Sequence, residues 1–145
     1  MGDWRMSKRR LSILVWTFIA LALAACAGSP SPPPGVVTVD ILFLNHPPVR
    51  EVLTQVDAVL AVYGDKGSVT RYDFDTPEGA AFAKQKGLTG HVPLAIFVNG
   101  SQTFDVNGRK VTFESFPQGA GTGMVPDGAW AVADLESVLQ SIVKK

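Results

Sequence analysis

Gly87-Leu88-Thr89-Gly90-His91-Val92-Pro93-Leu94-Ala95-Ile96-Phe97-Val98-Asn99-Gly100 is the stretch on which the fold turns. Its second half, Leu94–Val98, is an unbroken apolar run of strand length, as in a strand buried on both faces. Pro93 stands at its mouth, the position a strand tolerates best for a residue with no N–H. Asn99-Gly100 closes the run with a two-residue hairpin signal, and Asn107-Gly108 repeats that signal downstream. The two turns bracket a strand over Gln102–Val106 and leave Lys110–Phe113 as another. Gly87 and Gly90 free the chain to turn ahead of Pro93.

Working toward the N-terminus, Ser68–Asp75 alternates Val69, Tyr72 and Phe74 with polar residues, a strand pattern. Thr76-Pro77-Glu78 then starts a short helix, with Thr76 as N-cap and Pro77 at the first helical position, running to about Lys86. Further back, Val36–Leu44 is apolar except for Thr38 and Asp40 and reads as a buried strand. His46-Pro47-Pro48 opens a helix at or near Val49. Val49, Val52, Leu53, Val56, Val59, Leu60 and Tyr63 recur on one face of it. Toward the C-terminus, Phe116–Gly128 is a Gly- and Pro-rich loop, and Leu135, Val138, Leu139, Ile142 and Val143 mark a last amphipathic helix. The order β-α-β-α-β-β-(β)-α predicts an α/β domain. A parallel pair is joined through a right-handed crossover, hairpins add antiparallel strands, and helices cover both sheet faces.

The chain has 145 residues, 13 Lys+Arg and 13 Asp+Glu, enough for one domain. Its neutrality averages two unlike parts. Residues 1–25 carry Arg5, Lys8, Arg9 and Arg10 against Asp3, a balance of +3, which leaves −3 for residues 26–145. The basic balance of a nucleic-acid binder is absent from the larger part. Lys8-Arg9-Arg10 precede a short apolar run, Leu11–Ala25, that ends in small residues. This is the pattern of a secretory signal rather than a membrane span, which needs about 20 apolar residues. Ala27-Gly28-Ser29-Pro30-Ser31-Pro32-Pro33-Pro34-Gly35 follows, a composition that builds no core and favours extended chain.

Two resemblances follow from these residues. Leu23-Ala24-Ala25-Cys26 resembles the lipobox of bacterial lipoproteins. It implies cleavage after residue 25, acylation of Cys26, a tether over residues 26–35 and a domain over residues 36–145. The domain would sit at the extracytoplasmic face of the cell membrane, held by its lipid anchor. The domain itself resembles the thioredoxin fold. The residues that carry this are Asp73-Phe74-Asp75-Thr76-Pro77-Glu78, then Lys86–Pro93, then Leu94–Gly100 with its pattern of proline, apolar strand and Asn-Gly. The resemblance implies a three-layer α/β/α sandwich with a mixed four- to five-stranded sheet. It also implies a cis Val92-Pro93 bond facing the first helix's N-terminus. The second Asn-Gly hairpin and the long Gly-rich loop depart from the family.

The chemical departure is larger. The family's CxxC motif would fall in Asn45-His46-Pro47-Pro48-Val49-Arg50, where there is no sulfur. The one cysteine of the chain is Cys26, so neither a CxxC pair nor a Cys-based zinc site is available. Thiol–disulfide exchange needs an attacking thiolate, and the family's reaction does not carry over. The resemblance then implies a redox-inactive, non-enzymatic domain with no cofactor and no metal. A groove lined by Asn45, His46, Pro47, Pro48, His91, Val92 and Pro93 would hold a peptide or protein partner, whose backbone pairs with that of Val92. The alternatives are a metal- or cofactor-handling protein using His46 and His91, and a redox-accessory protein of the family that relies on a partner's thiol. Gly119-Ala120-Gly121-Thr122-Gly123 lacks the spacing and the Lys-Ser/Thr pair of a phosphate loop and is expected as a flexible loop at the groove rim. Trp130 is expected as a partly buried core residue.

Overall fold

The computed structural model describes residues 35–122 and 125–144. The expected signal sequence over residues 1–25, Cys26 and the expected tether, except for its last residue, Gly35, lie outside the described residues. The elements are β1 (Val37–Phe43), α1 (Pro47–Ala61), a 3₁₀ turn (Gly64–Lys66), β2 (Gly67–Asp73), α2 (Pro77–Gln85), β3 (Leu94–Val98), β4 (Thr103–Val106), β5 (Arg109–Thr112) and α3 (Val132–Val143). Among the described residues no helix is long and apolar enough to cross a membrane.

The domain is a mixed α/β structure with a three-stranded sheet, a two-stranded sheet and three helices. In the larger sheet β1 is central. It pairs in parallel with β2, Val39 opposite Val69, and antiparallel with β3, Ile41 opposite Ile96. Because side chains alternate along a strand, β1 serves two cores. Val37, Val39 and Ile41 join Leu94, Ile96 and Val98 under α1 and α3, with Val49, Val52, Val56, Leu135, Val138 and Leu139 from those helices. Leu42 faces the other way, with Ala95 and Phe97 of β3 and Phe82 and Ala83 of α2. Phe82 stacks on Tyr72 at 4.0 Å between centroids and meets Phe97 edge-on.

The sheet differs from the expected four to five strands. β4 and β5 form a separate two-stranded sheet, Phe104 opposite Val111. The Asn99-Gly100 turn forms as expected, with φ of 48° and 79°, but directly after it the chain pairs back on β3 through Ser101 with Val98 alone, and β4 does not join β3. The β4–β5 hairpin then returns Phe113–Ser115 to the free edge of β3. The Ile96 N–H donates to the Phe113 carbonyl at 3.0 Å, and the Ser115 N–H to the Leu94 carbonyl at 2.9 Å. A strand edge accepts one neighbour, and this segment takes it. Trp130 is fully buried rather than partly buried. Its indole N–H reaches the Glu114 and Ser115 carbonyls at 3.1 and 3.3 Å, and its ring meets Phe113 edge-on.

Candidate functional site

Three segments that are distant in sequence meet beyond the C-terminal end of β1, around an apolar cleft of about 330 Å³. The junction of β1 and α1 supplies Leu44, His46, Pro47, Pro48 and Val49. The turn before β3 supplies His91 and Pro93, and the long loop before α3 supplies Phe116, Thr122 and Val125. The first two segments are tied directly, the Leu44 N–H donating to the Pro93 carbonyl at 2.9 Å.

Five of the seven residues expected in a groove therefore line one: His46, Pro47, Pro48, His91 and Pro93. Two do not. Val92 is 6% exposed and packs in the smaller core with Leu42, Phe82 and Phe97. A valine beside a β-sheet is stabilised by that burial, so its side chain is structural. Asn45 is exposed, and its side-chain and backbone oxygens accept from the Arg50 guanidinium at 3.1 and 3.3 Å.

The Val92-Pro93 bond corrects the expectation of a cis peptide: there is none among the described residues. The trans form is favoured locally by about 0.5–1 kcal/mol. The chain reversal that a cis bond would serve comes instead from Gly87 and Gly90, at φ of 70° and 80°. With this bond trans, Pro93 precedes β3 and lines the cleft together with His46, Pro47 and Pro48 from the start of α1.

The electrostatics of the cleft are plain. None of its described lining residues is Asp, Glu, Lys or Arg. Arg50, one turn into α1, is engaged by Asn45. A helix N-terminus normally offers free N–H groups to an anion. Here the first two helical residues are Pro47 and Pro48, which have no N–H. No acidic residue stands in the first turn, and His46 makes no capping bond. The end of α1 thus presents hydrocarbon where such an end usually presents donors. The two imidazoles are the polar groups with chemistry to offer. Zinc takes three or four protein ligands, and among the described residues no group of three His, Cys, Asp or Glu is placed to hold an ion.

A further feature was not legible in the sequence. Among the described residues, the backbone N–H and C=O groups of Thr89, Gly90, His91 and Val92 make no backbone–backbone hydrogen bond. Leu88 is bonded back to Ala83 on one side and Pro93 to Leu44 on the other. Among the described residues the strip between them finds no backbone partner, and its His91 lines the cleft. Thr122 belongs to the loop expected at the groove rim and lines the cleft, whereas Leu44, Val49, Phe116 and Val125 were not singled out as site residues. They sit in ordinary apolar and loop patterns, and only the packing collects them.

Comparison with protein-family models and with curated proteins finds no match to this chain. The reading of the site rests on its geometry.

Proposed function

We propose that this domain is a thioredoxin-like binding module without redox chemistry, whose cleft holds an extended peptide segment of a protein partner. The observation that carries the reading is the backbone strip Thr89–Val92, which has no backbone partner among the described residues and runs into the apolar cleft at His91. Unpaired backbone groups are the template for strand addition, and an adjoining pocket for side chains supplies selectivity. The thioredoxin-like assignment is supported by the sheet order β2-β1-β3 with one parallel and one antiparallel pairing, by helices on both faces, and by a proline heading β3 opposite the start of α1. Thiol exchange is left without a nucleophile, because the chain's one cysteine is Cys26.

The module is carried, in this reading, on a lipid-modified Cys26 at the extracytoplasmic face of the cell membrane. Gly35 and Val36 precede β1 at the end of the strand remote from the cleft. Seven residues of β1, about 20 Å at ~3.3 Å per residue, separate the two.

Full-length protein extracted from membranes tests both parts. Intact mass should place acyl groups on Cys26; recovery of unmodified protein from the medium removes the anchor. Fluorescence anisotropy with end-blocked apolar hexapeptides should show micromolar binding. His91→Asp, which puts a charge into the cleft, should weaken it at least tenfold with the circular dichroism unchanged. Insulin reduction above buffer would overturn the redox-inactive assignment.

A second reading is favoured by one observation, that His46 and His91 line the same cleft. It is a metal- or cofactor-handling protein completed by a partner's ligands. Calorimetric titration with Zn²⁺ separates the two: tight binding lost in both His46→Ala and His91→Ala supports the second.

A further inference from the structure

The loop before α3 is long for a connection in a compact domain, and long loops are where function concentrates. Its described residues are bonded into a wall around one carboxylate. The Gly119 N–H donates to Asp127 Oδ2 at 2.8 Å, and the Gly121 N–H donates to Oδ1. The Gly128 N–H returns to the Phe116 carbonyl at 2.6 Å, and Ser115 Oγ donates to the Pro126 carbonyl at 3.0 Å. Thr122 and Val125 exchange backbone hydrogen bonds at 2.9 and 3.1 Å. Gly119 needs its φ of 82°, and a Cβ on Gly121 would fall on the Asp127 carboxylate. Gly119 and Gly121 let the chain close around Asp127, which takes up their amides.

The wall faces the cleft with Phe116, Thr122 and Val125, while its carboxylate is taken up by the loop's own amides. On the opposite side Arg50 is engaged by Asn45, and Pro47 and Pro48 offer no N–H. The two charged groups flanking the cleft, Asp127 and Arg50, are thus each hydrogen-bonded to neutral partners within the chain. A charged side chain entering it would lose water and meet no Asp, Glu, Lys or Arg among the described lining residues, only the imidazoles of His46 and His91 and the Thr122 hydroxyl, a cost that an apolar one does not face.

We propose that Asp127 is a positioning residue that holds this wall, and that the wall restricts the cleft to uncharged, apolar side chains of the bound peptide. This rests on the reading of the cleft as a peptide groove. The test uses the full-length lipidated chain in nanodiscs and three end-blocked fluorescent hexapeptides. They are Ser-Leu-Val-Leu-Ser-Ser and the same peptide with its valine replaced by Glu or by Lys. The apolar peptide should bind at least tenfold more tightly than either charged one. Asp127→Ala should lower its affinity at least tenfold and speed hydrogen exchange at the Gly119 and Gly121 amides, with exchange in β3 unchanged. Asp127→Asn, which keeps one acceptor oxygen, should fall between.

Equal binding of all three peptides overturns the specificity. Unchanged affinity in Asp127→Ala despite faster Gly119 and Gly121 exchange overturns the positioning role. Should Asp127→Ala fail to fold, Val125→Lys keeps the carboxylate and recharges the wall. It should reject the apolar peptide and accept the Glu one; no such reversal overturns the proposal. If none of the three binds the unaltered protein, the groove reading itself fails, and the proposal with it.

Discussion

α1 and α2 start with nearly the same backbone and opposite chemistry. Each follows a strand, each has an extended N-cap, His46 at φ −107° and ψ 153° and Thr76 at φ −97° and ψ 156°, and each has proline at its first position. At α2 the sequence uses every local device. Thr76 Oγ1 accepts from the Gly79 N–H at 3.1 Å and donates to the Asp73 carbonyl at 2.8 Å, and Glu78 complements the helix dipole. At α1 a second proline stands where α2 has its acid, and the cap side chain bonds nothing. The helix start away from the cleft is self-satisfied. The one at the cleft forgoes about 1 kcal/mol of capping and presents apolar surface, the pattern expected where a binding surface competes with stability.

Substitutions at matched positions sharpen that contrast. The third helical residue is Gly79 in α2 and Val49 in α1. A Cβ on Gly79 would overlap the Asp73 carbonyl, so Gly79→Ala should cost about 3 kcal/mol or more through overpacking. Urea denaturation reads this directly, and a loss below about 1 kcal/mol would mean that α2 shifts freely on β2.

The caps come next in size. Thr76→Ala should cost about 1 kcal/mol and leave hexapeptide affinity unchanged. His46→Asp should do the reverse, gaining about 0.5–1 kcal/mol from a cap and a charge at the dipole's positive end. It should also weaken apolar peptide binding at least tenfold. If His46→Asp strengthens both stability and binding, the two helix starts are not the functional opposites described.

The smallest effect lies on the α2 face of the sheet. Burial pushes the Asp40 carboxyl above its ordinary range, with the nearby Lys86 ammonium pulling the other way. Lys86 itself lies over the Phe97 ring at 4.7 Å. A raised carboxyl pKa means that the folded chain holds the proton more tightly than the unfolded one. Stability should therefore fall as pH rises from the ordinary carboxylate range through the folded value. Asp40→Asn should flatten that slope and stabilise the protein at pH 7. Denaturation midpoints between pH 3.5 and 7 check it, and an unaltered slope in the variant would assign the dependence to other carboxylates.

Local chemistry was legible. Thr76 caps α2 as its hydroxyl and its place before Pro77 require. Both Asn-Gly pairs adopt positive φ, and Leu94–Val98 is a fully buried strand. The stripe from Val49 to Tyr63 packs on the sheet. These features are decided by neighbours a few residues away, through side-chain period, proline's missing N–H and glycine's freedom, and a sequence states those directly. Cys26 and its tether are likewise a matter of sequence alone, outside the described residues. What only the tertiary structure decided involves residues far apart. It gave the free edge of β3 to Phe113–Ser115 rather than to β4, turned Val92 into the smaller core, and set Val92-Pro93 trans. It also folded the glycine loop around Asp127 and brought Phe116, Thr122 and Val125 across from Pro47 and Pro48. Each is a choice among partners that local pattern leaves equivalent. Two identical hairpin signals do not say which strand returns to the sheet, and an apolar residue in a turn does not say which of two cores it enters. Those choices are settled by the burial and hydrogen bonding of the whole domain, and the cleft exists only once they have been made.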